Sequence, residues 1–153
     1  MSYLTPHHPY FEAVLAALGD NAAPDESFNE YCADDGEVML TEIFIRLGTA
    51  RARAAGYLHG LGLLWNQTTG WLWARGTNDD RLANPQPLVF GLVVTPASVA
   101  SAVDALLTGR TNDLPAQGDE AAPGYKPLPE ILVRAVAAGD LDHDTACRLA
   151  SFA

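Results

Sequence analysis

Apolar residues recur along the chain in two distinct periods, and the period changes mark its elements. Phe11, Val14, Leu15 and Leu18 stand at helical spacing and Gly19 follows them, so a helix is predicted over Pro9–Leu18. Val38–Leu47 alternates instead. Met39, Thr41, Ile43, Ile45 and Leu47 share one face of a predicted strand, and Val38, Leu40, Glu42, Phe44 and Arg46 share the other. Glu42 and Arg46 make that second face partly polar, which places the strand near a sheet edge or with one face toward water.

Two short apolar runs, Leu61–Trp65 and Trp71–Arg75, flank the polar residues 66–70, and the whole reads as a β-hairpin. Gly70, near the end of the loop, suits the left-handed conformation that longer hairpin loops need. Side-chain parity then decides the faces. Whether Asn66 opposes Gly70 or Gln67 opposes Trp71, any regular register puts Trp65, Trp71 and Trp73 on one face. Gly62, Leu64, Leu72 and Ala74 form the other, which is also apolar. A sheet covered on one side would not need both faces apolar, so something must cover the second: a helix of this chain first, a second copy or a protein partner second, a small ligand third.

Leu88–Val94 is apolar on both faces, as a central strand would be. Thr95 is placed to cap a helix, PASVASAVDALL, that buries Val99, Val103, Leu106 and Leu107 and ends before Gly109. Residues 20–37 and 76–86 are polar and turn-rich and read as loops, and 48–60 as a long turn or short helix. Residues 111–127 are rich in Pro, Gly and acids and read as a linker. Two short helices follow, LPEILVRAVAAG and DHDTACRLASF. The predicted fold is α+β: an antiparallel sheet of about four strands flanked by helices, with a C-terminal two-helix appendage. The corresponding division is an α+β domain over 1–109, a linker over 110–127 and a helical hairpin over 128–153.

Composition narrows the function classes. At 153 residues, 48% hydrophobic and 18% charged, the chain can bury a core without disulfides or metal. Its net charge is −10, and its eight arginines and single lysine form no basic cluster. Nucleic-acid binding needs clustered cations against phosphates, so nucleic acids and anionic membranes are excluded as partners. No run approaches the ~20 apolar residues of a membrane span, and no secretory leader precedes the first helix. A cytoplasmic location is expected, where Cys32 and Cys147, far apart in sequence, serve as small apolar residues.

Candidate chemistry adds little. The acids of 20–37 lack the spacing of a calcium loop. A zinc site drawing on His7 or His8, His143 and Asp142 or Asp144 has no recognised spacing. Asp142 more simply caps the last helix, with Asp144 at its positive dipole end. Gly56, Gly60 and Gly62 precede a strand rather than open a helix, so they make no dinucleotide loop. A triad from Ser27, Ser98 or Ser101 with His59 has no supporting motif. Glu42 is the one carboxylate among strongly apolar strand neighbours, and its plain partner is Arg46. No catalytic residue, metal ligand or cofactor is assigned.

The stretch LLWNQTTGW followed by TPASVASAVDALL resembles, over Leu63–Leu107, an uncharacterised actinobacterial domain of unknown function with a Leu-Leu-Trp / turn / Gly-Trp hairpin. The resemblance implies an α+β fold and supplies no activity. The expected role is a non-enzymatic, acidic protein-interaction module that binds a protein partner or self-associates as a homodimer. The alternative is a small-molecule binding domain with a tryptophan-lined pocket. In either case the candidate binding residues are Trp65, Trp71, Trp73, Phe44 and Phe90.

Overall fold

The computed structural model describes residues 5–33, 39–79, 81–124 and 127–153. Its architecture is α+β. Five antiparallel strands form one sheet in sequential order: β1 (Ala22–Ala33), β2 (Met39–Leu47), β3 (Leu61–Asn66), β4 (Gly70–Gly76) and β5 (Leu82–Pro87). Around them lie α1 (His8–Leu18), α2 (Thr49–Ala54), α3 (Pro96–Leu107), α4 (Glu130–Ala137) and α5 (His143–Ala150). Two short parallel strands, β6 (Val89–Phe90) and β7 (Ala116–Gln117), form a separate ladder. No helix among the described residues is long and apolar enough to cross a membrane.

The hairpin takes the register in which Asn66 opposes Gly70 and Trp65 opposes Trp71. Asn66 Oδ1 accepts from the backbone amides of Thr68 and Thr69, at 2.8 and 2.9 Å, and so shapes the loop. Gly70 closes it at φ 69°. A Cβ there would also lie 2.8 Å from the Gly91 carbonyl oxygen, so the position excludes larger residues twice over.

Three stretches fold differently from their sequence reading. Residues 22–33, taken as part of a loop, form edge strand β1. Its alternation is masked by acids and by a bulge in which the register jumps between Ala23 and Phe28. Residues 82–87, also taken as loop, form the opposite edge, where Pro85 and Pro87 are tolerated because no further strand asks for their amides. The run Leu88–Val94 is not a central strand. Gly91 turns it at φ 113°, and Leu88, Val93 and Val94 are buried against the core from outside the main sheet. A short apolar run carries no periodicity that separates these cases. The sheet thus gains two strands and loses one, giving five rather than about four.

The inner face of the sheet carries Ile43, Ile45 and Leu47 of β2, Leu61, Leu63 and Trp65 of β3, and Trp71 and Trp73 of β4. Residues from all five helices join them in one core, including Tyr10 and Val14, Ala52, Val99 and Leu106, Leu132, and Leu149. The C-terminal helices belong to the same cluster. Phe152 after α5 packs on Tyr10, ring centroids 4.9 Å apart. Gln67 ties the turn before α5 to the sheet, its amide donating to the carbonyls of Met39 and Asp140 at 2.9 and 3.1 Å. Its Oε1 accepts from the amide and hydroxyl of Thr41 at 2.7 and 2.8 Å. The helix caps follow the sequence: Thr95 accepts from Ser98 N–H, and Asp142 from Thr145 N–H at 2.7 Å. That last bond holds the Asp142 carboxyl below its usual range.

Candidate functional site

The three tryptophans share the inner face, and they are consumed by the core. Trp65 and Trp71 are each 1% exposed and Trp73 8%. Trp65 Nε1–H donates to the Leu92 carbonyl at 2.7 Å. Trp71 Nε1–H donates to the Tyr10 hydroxyl at 3.0 Å, and that hydroxyl donates in turn to the Val94 carbonyl at 2.6 Å. Tyr10 also meets the Trp65 ring edge-on at 5.5 Å. Burial of its hydroxyl pushes the Tyr10 ionisation well above the ordinary tyrosine range. A platform for a ligand ring needs an open indole face, and Trp65 and Trp71 offer none. Trp73 borders a cleft of about 260 Å³ with Arg75, Asn84 and Gln86. Arg75 is already stacked on Tyr57, 4.6 Å from its ring centre.

The opposite face behaves otherwise. Strand register sets Phe28, Phe44, Leu64, Leu72 and Pro87 side by side, one from each strand of the sheet. At ~4.8 Å per strand the row is roughly 19 Å long. Phe28 and Phe44 are in ring contact at 5.4 Å. Phe28 is 51% exposed, Phe44, Leu64 and Leu72 are half-buried, and Pro87 is exposed. None of the five belongs to the core cluster or to the residues packed on it. Next to the row, Gly62 leaves room that Leu82 of β5 fills, for a Cβ at 62 would lie 2.8 Å from Leu82 Cδ1. The helix ranked first as cover for this second face packs instead on the tryptophan side, and on this side Leu82 fills the space beside Gly62. Of the predicted binding residues, Trp65, Trp71 and Trp73 lie together inside, Phe44 lies on the outer row, and Phe90, 55% exposed, stands apart on β6.

Sequence reasoning named Leu64 and Leu72 as the hairpin's second face but did not extend the row to Phe28. The signal was an isolated aromatic two residues before Glu30, set in a stretch whose acids mimic a loop.

The histidines and serines of the described residues have the following surroundings. His7 is fully buried. Its Nε2–H donates to the Glu42 carbonyl at 2.8 Å, and its Nδ1 has no hydrogen-bond partner among the described residues. Desolvation lowers its pKa to about 4, against the opposing effect of the Glu42 bond. His8 faces Asn29 and Glu12 instead, and His143 lies 3.6 Å from the Cys147 thiol on α5. Among the described residues no group of three or more His, Cys, Asp or Glu side chains is placed to hold a metal ion. Ser27 Oγ donates to Ala23 O and accepts from Arg46 N–H, and Ser98 Oγ accepts from Asp119 N–H, so both hydroxyls serve the backbone. His59 lines a cleft of about 280 Å³ with Glu26, Arg46 and Arg53. A larger cleft, about 560 Å³, is lined by Ala122, Gly124, Ala150 and Ala153 among others. Its residues include Pro123, Pro127 and Pro129, and the hydroxyl of Ser151 there donates to Arg148 O.

These features define an α+β protein whose tryptophans are packed on the inner face of the sheet and whose outer face is crossed by an apolar row. In comparisons with known proteins, no family model, no curated protein and no solved structure matches the chain. The resemblance over 63–107 therefore brings no site residue or activity to it.

Proposed function

We propose that the chain is a non-enzymatic, acidic protein-interaction module of the cytoplasm, and that it works through the outer face of its sheet rather than through the tryptophans. One observation carries the reading: the row Phe28–Phe44–Leu64–Leu72–Pro87 crosses all five strands, outside the core, with Phe28 half open to solvent. Scattered exposed apolar residues need no explanation, but a contiguous row of them marks a contact surface. Edge pairing is the other way a sheet recruits a partner, and here both edges are blunted, by the bulge of β1 and by the prolines of β5. The face is thus the part of the sheet suited to binding.

A photo-crosslinking residue placed at Phe28 or at Leu64, with Glu12 on α1 as the off-face control, tests this in the cells that make the protein. The same identified protein is expected as the adduct from both face positions and not from the Glu12 control. Equal labelling from Glu12, or no adduct from either face position, overturns the reading.

A further inference from the structure

The cleft beside Trp73 collects hydrogen-bond donors that the fold leaves unused. Across β4 and β5, Trp73 pairs with Gln86 and Arg75 with Ala83, so Asn84 and Pro85 together oppose Ala74 in a bulge. Asn84 takes φ 53° there, the one non-glycine residue with positive φ among the described residues. Such bulges re-aim side chains, and here Asn84 and Gln86 line the cleft with Trp73 and Arg75. The indole N–H groups of Trp65 and Trp71 are bonded. That of Trp73 has no hydrogen-bond partner among the described residues, although Trp73 is only 8% exposed. A buried indole N–H usually finds an acceptor. Arg75 has no ion-pair or hydrogen-bond partner among the described residues either, in a chain where 19 acids face nine cations. Its guanidinium carbon lies over the Tyr57 ring, 4.6 Å from the centre, which holds the group in place while its N–H donors stay unengaged. The side-chain amides of Asn84 and Gln86 are likewise without partners among the described residues, and no described Asp or Glu lines the cleft.

We propose that this cleft binds a small carboxylic acid. The carboxylate takes the Arg75 guanidinium and the Trp73 indole N–H, and the amides of Asn84 and Gln86 complete its shell. Four donor groups and one full positive charge, with no acid beside them, select an oxyanion over a cation or a neutral apolar molecule. A carboxylate presents two oxygens in one plane, which matches the fork of a guanidinium. A phosphate brings a charge of about −1.5 to −2 and would meet a single cation here. The cleft holds about 260 Å³, below the roughly 300–1,000 Å³ of sites for drug-sized ligands, so the acid is small. The cleft includes Trp73 and none of the outer row, so this site and the protein-contact face stand or fall separately.

Proton–nitrogen NMR of the full chain, titrated with benzoate and with its neutral counterpart benzamide, tests it. Benzoate is expected to move the Trp73 indole N–H, the Arg75 Nε–H and the Gln86 side-chain amide together, saturating with a Kd of about 1 mM, the range open to a ligand of this size. Benzamide should bind at least about ten-fold more weakly, and benzoate should lose about ten-fold or more in Arg75→Gln. Gln86→Ala, at an exposed site, serves as a second variant should Arg75→Gln fail to fold, and should weaken benzoate by about three-fold. Equal affinity for benzoate and benzamide, or an affinity unchanged in the variants, makes the contact apolar and overturns the proposal. So does the absence of any movement in the three resonances up to about 20 mM benzoate. Inorganic phosphate binding as tightly as benzoate at the same resonances reduces the site to bare charge and overturns the carboxylate. An N-acetylated dipeptide with a free carboxyl terminus that binds about ten-fold more tightly than benzoate, while its amidated form does not, assigns the site to a chain terminus and overturns the small acid.

Discussion

Tyr10→Phe removes one oxygen and strands two buried groups. The hydroxyl accepts from Trp71 Nε1–H at 3.0 Å and donates to Val94 O at 2.6 Å. Tyr10 and Val94 are fully buried and Trp71 is 1% exposed, so water cannot take the place of the hydroxyl without opening the core. A buried polar group left without its partner costs about 1–3 kcal/mol. With two such groups and little change in shape, the expected loss is about 3 kcal/mol, which lowers Tm by roughly 6–12 °C in a chain of this size. Urea unfolding followed by tryptophan fluorescence reads it as a lower midpoint at unchanged slope. Trp71→Phe completes a double-mutant cycle, in which the coupling between positions 10 and 71 is expected to exceed about 1 kcal/mol. A Tyr10→Phe loss below about 1 kcal/mol, or no coupling, would refute the idea that the tryptophan face is a sealed and hydrogen-bonded core.

His7 gives a pH test. Its folded-state pKa of about 4 lies below the ordinary 6.5, so between those values the unfolded chain holds the extra proton. Its stabilising share is complete above about pH 6.5 and is lost as pH falls through 4. At about 1.4 kcal/mol per pH unit the loss approaches roughly 3 kcal/mol. The urea midpoint of the wild type should therefore drop between pH 7.5 and 4.5 by more than that of His7→Gln, and parallel profiles would contradict a buried neutral imidazole. Gly76→Ala is expected to cost about 2–3 kcal/mol, because the added Cβ would lie 2.0 Å from the His59 carbonyl oxygen. Gly124→Ala, whose Cβ comes no nearer than 3.4 Å to the described residues, should cost under about 1 kcal/mol in the same thermal melts, and comparable costs would argue against the close approach. Adjacent residues of β3 should respond in opposite ways. Leu63→Ala should cost about 2–5 kcal/mol and Leu64→Ala less than about 1.5, since only Leu63 is fully buried, and a reversed order in denaturant would assign the faces wrongly.

The elements with strong local signals were legible in the sequence. Helical spacing and a Thr95 cap define α3 to the residue, and parity alone puts the three tryptophans on one face of the hairpin. The stretches that escaped have physical reasons. β1 faces the N-terminal segment and Asp140 with Asn29 and Tyr31, which bond to His8 and to the Asp140 carboxylate, so its inner side is polar and its alternation is not that of a core strand. In β5 the prolines that argue against a central strand are the mark of an edge. In Leu88–Val94 the one informative residue was Gly91, whose positive φ and close neighbours Val94 and Glu120 show a chain bending over the core end. The site was legible in half. Tryptophan clustering drew attention to the hairpin, but an indole's size makes it core-forming before it makes it a platform, and the open surface lay on the face the tryptophans do not share.

Hydroxyl-radical footprinting of the free protein bears most directly on that assignment of faces, since it reports side-chain exposure residue by residue. The structure predicts strong labelling of Phe28 and intermediate labelling of Phe44 and Leu64, with Trp65 and Trp71 at least about ten-fold below their intrinsic reactivity. Ready labelling of Trp65 and Trp71 beside a protected Phe28 and Leu64 would put the open surface on the tryptophan side and contradict the account.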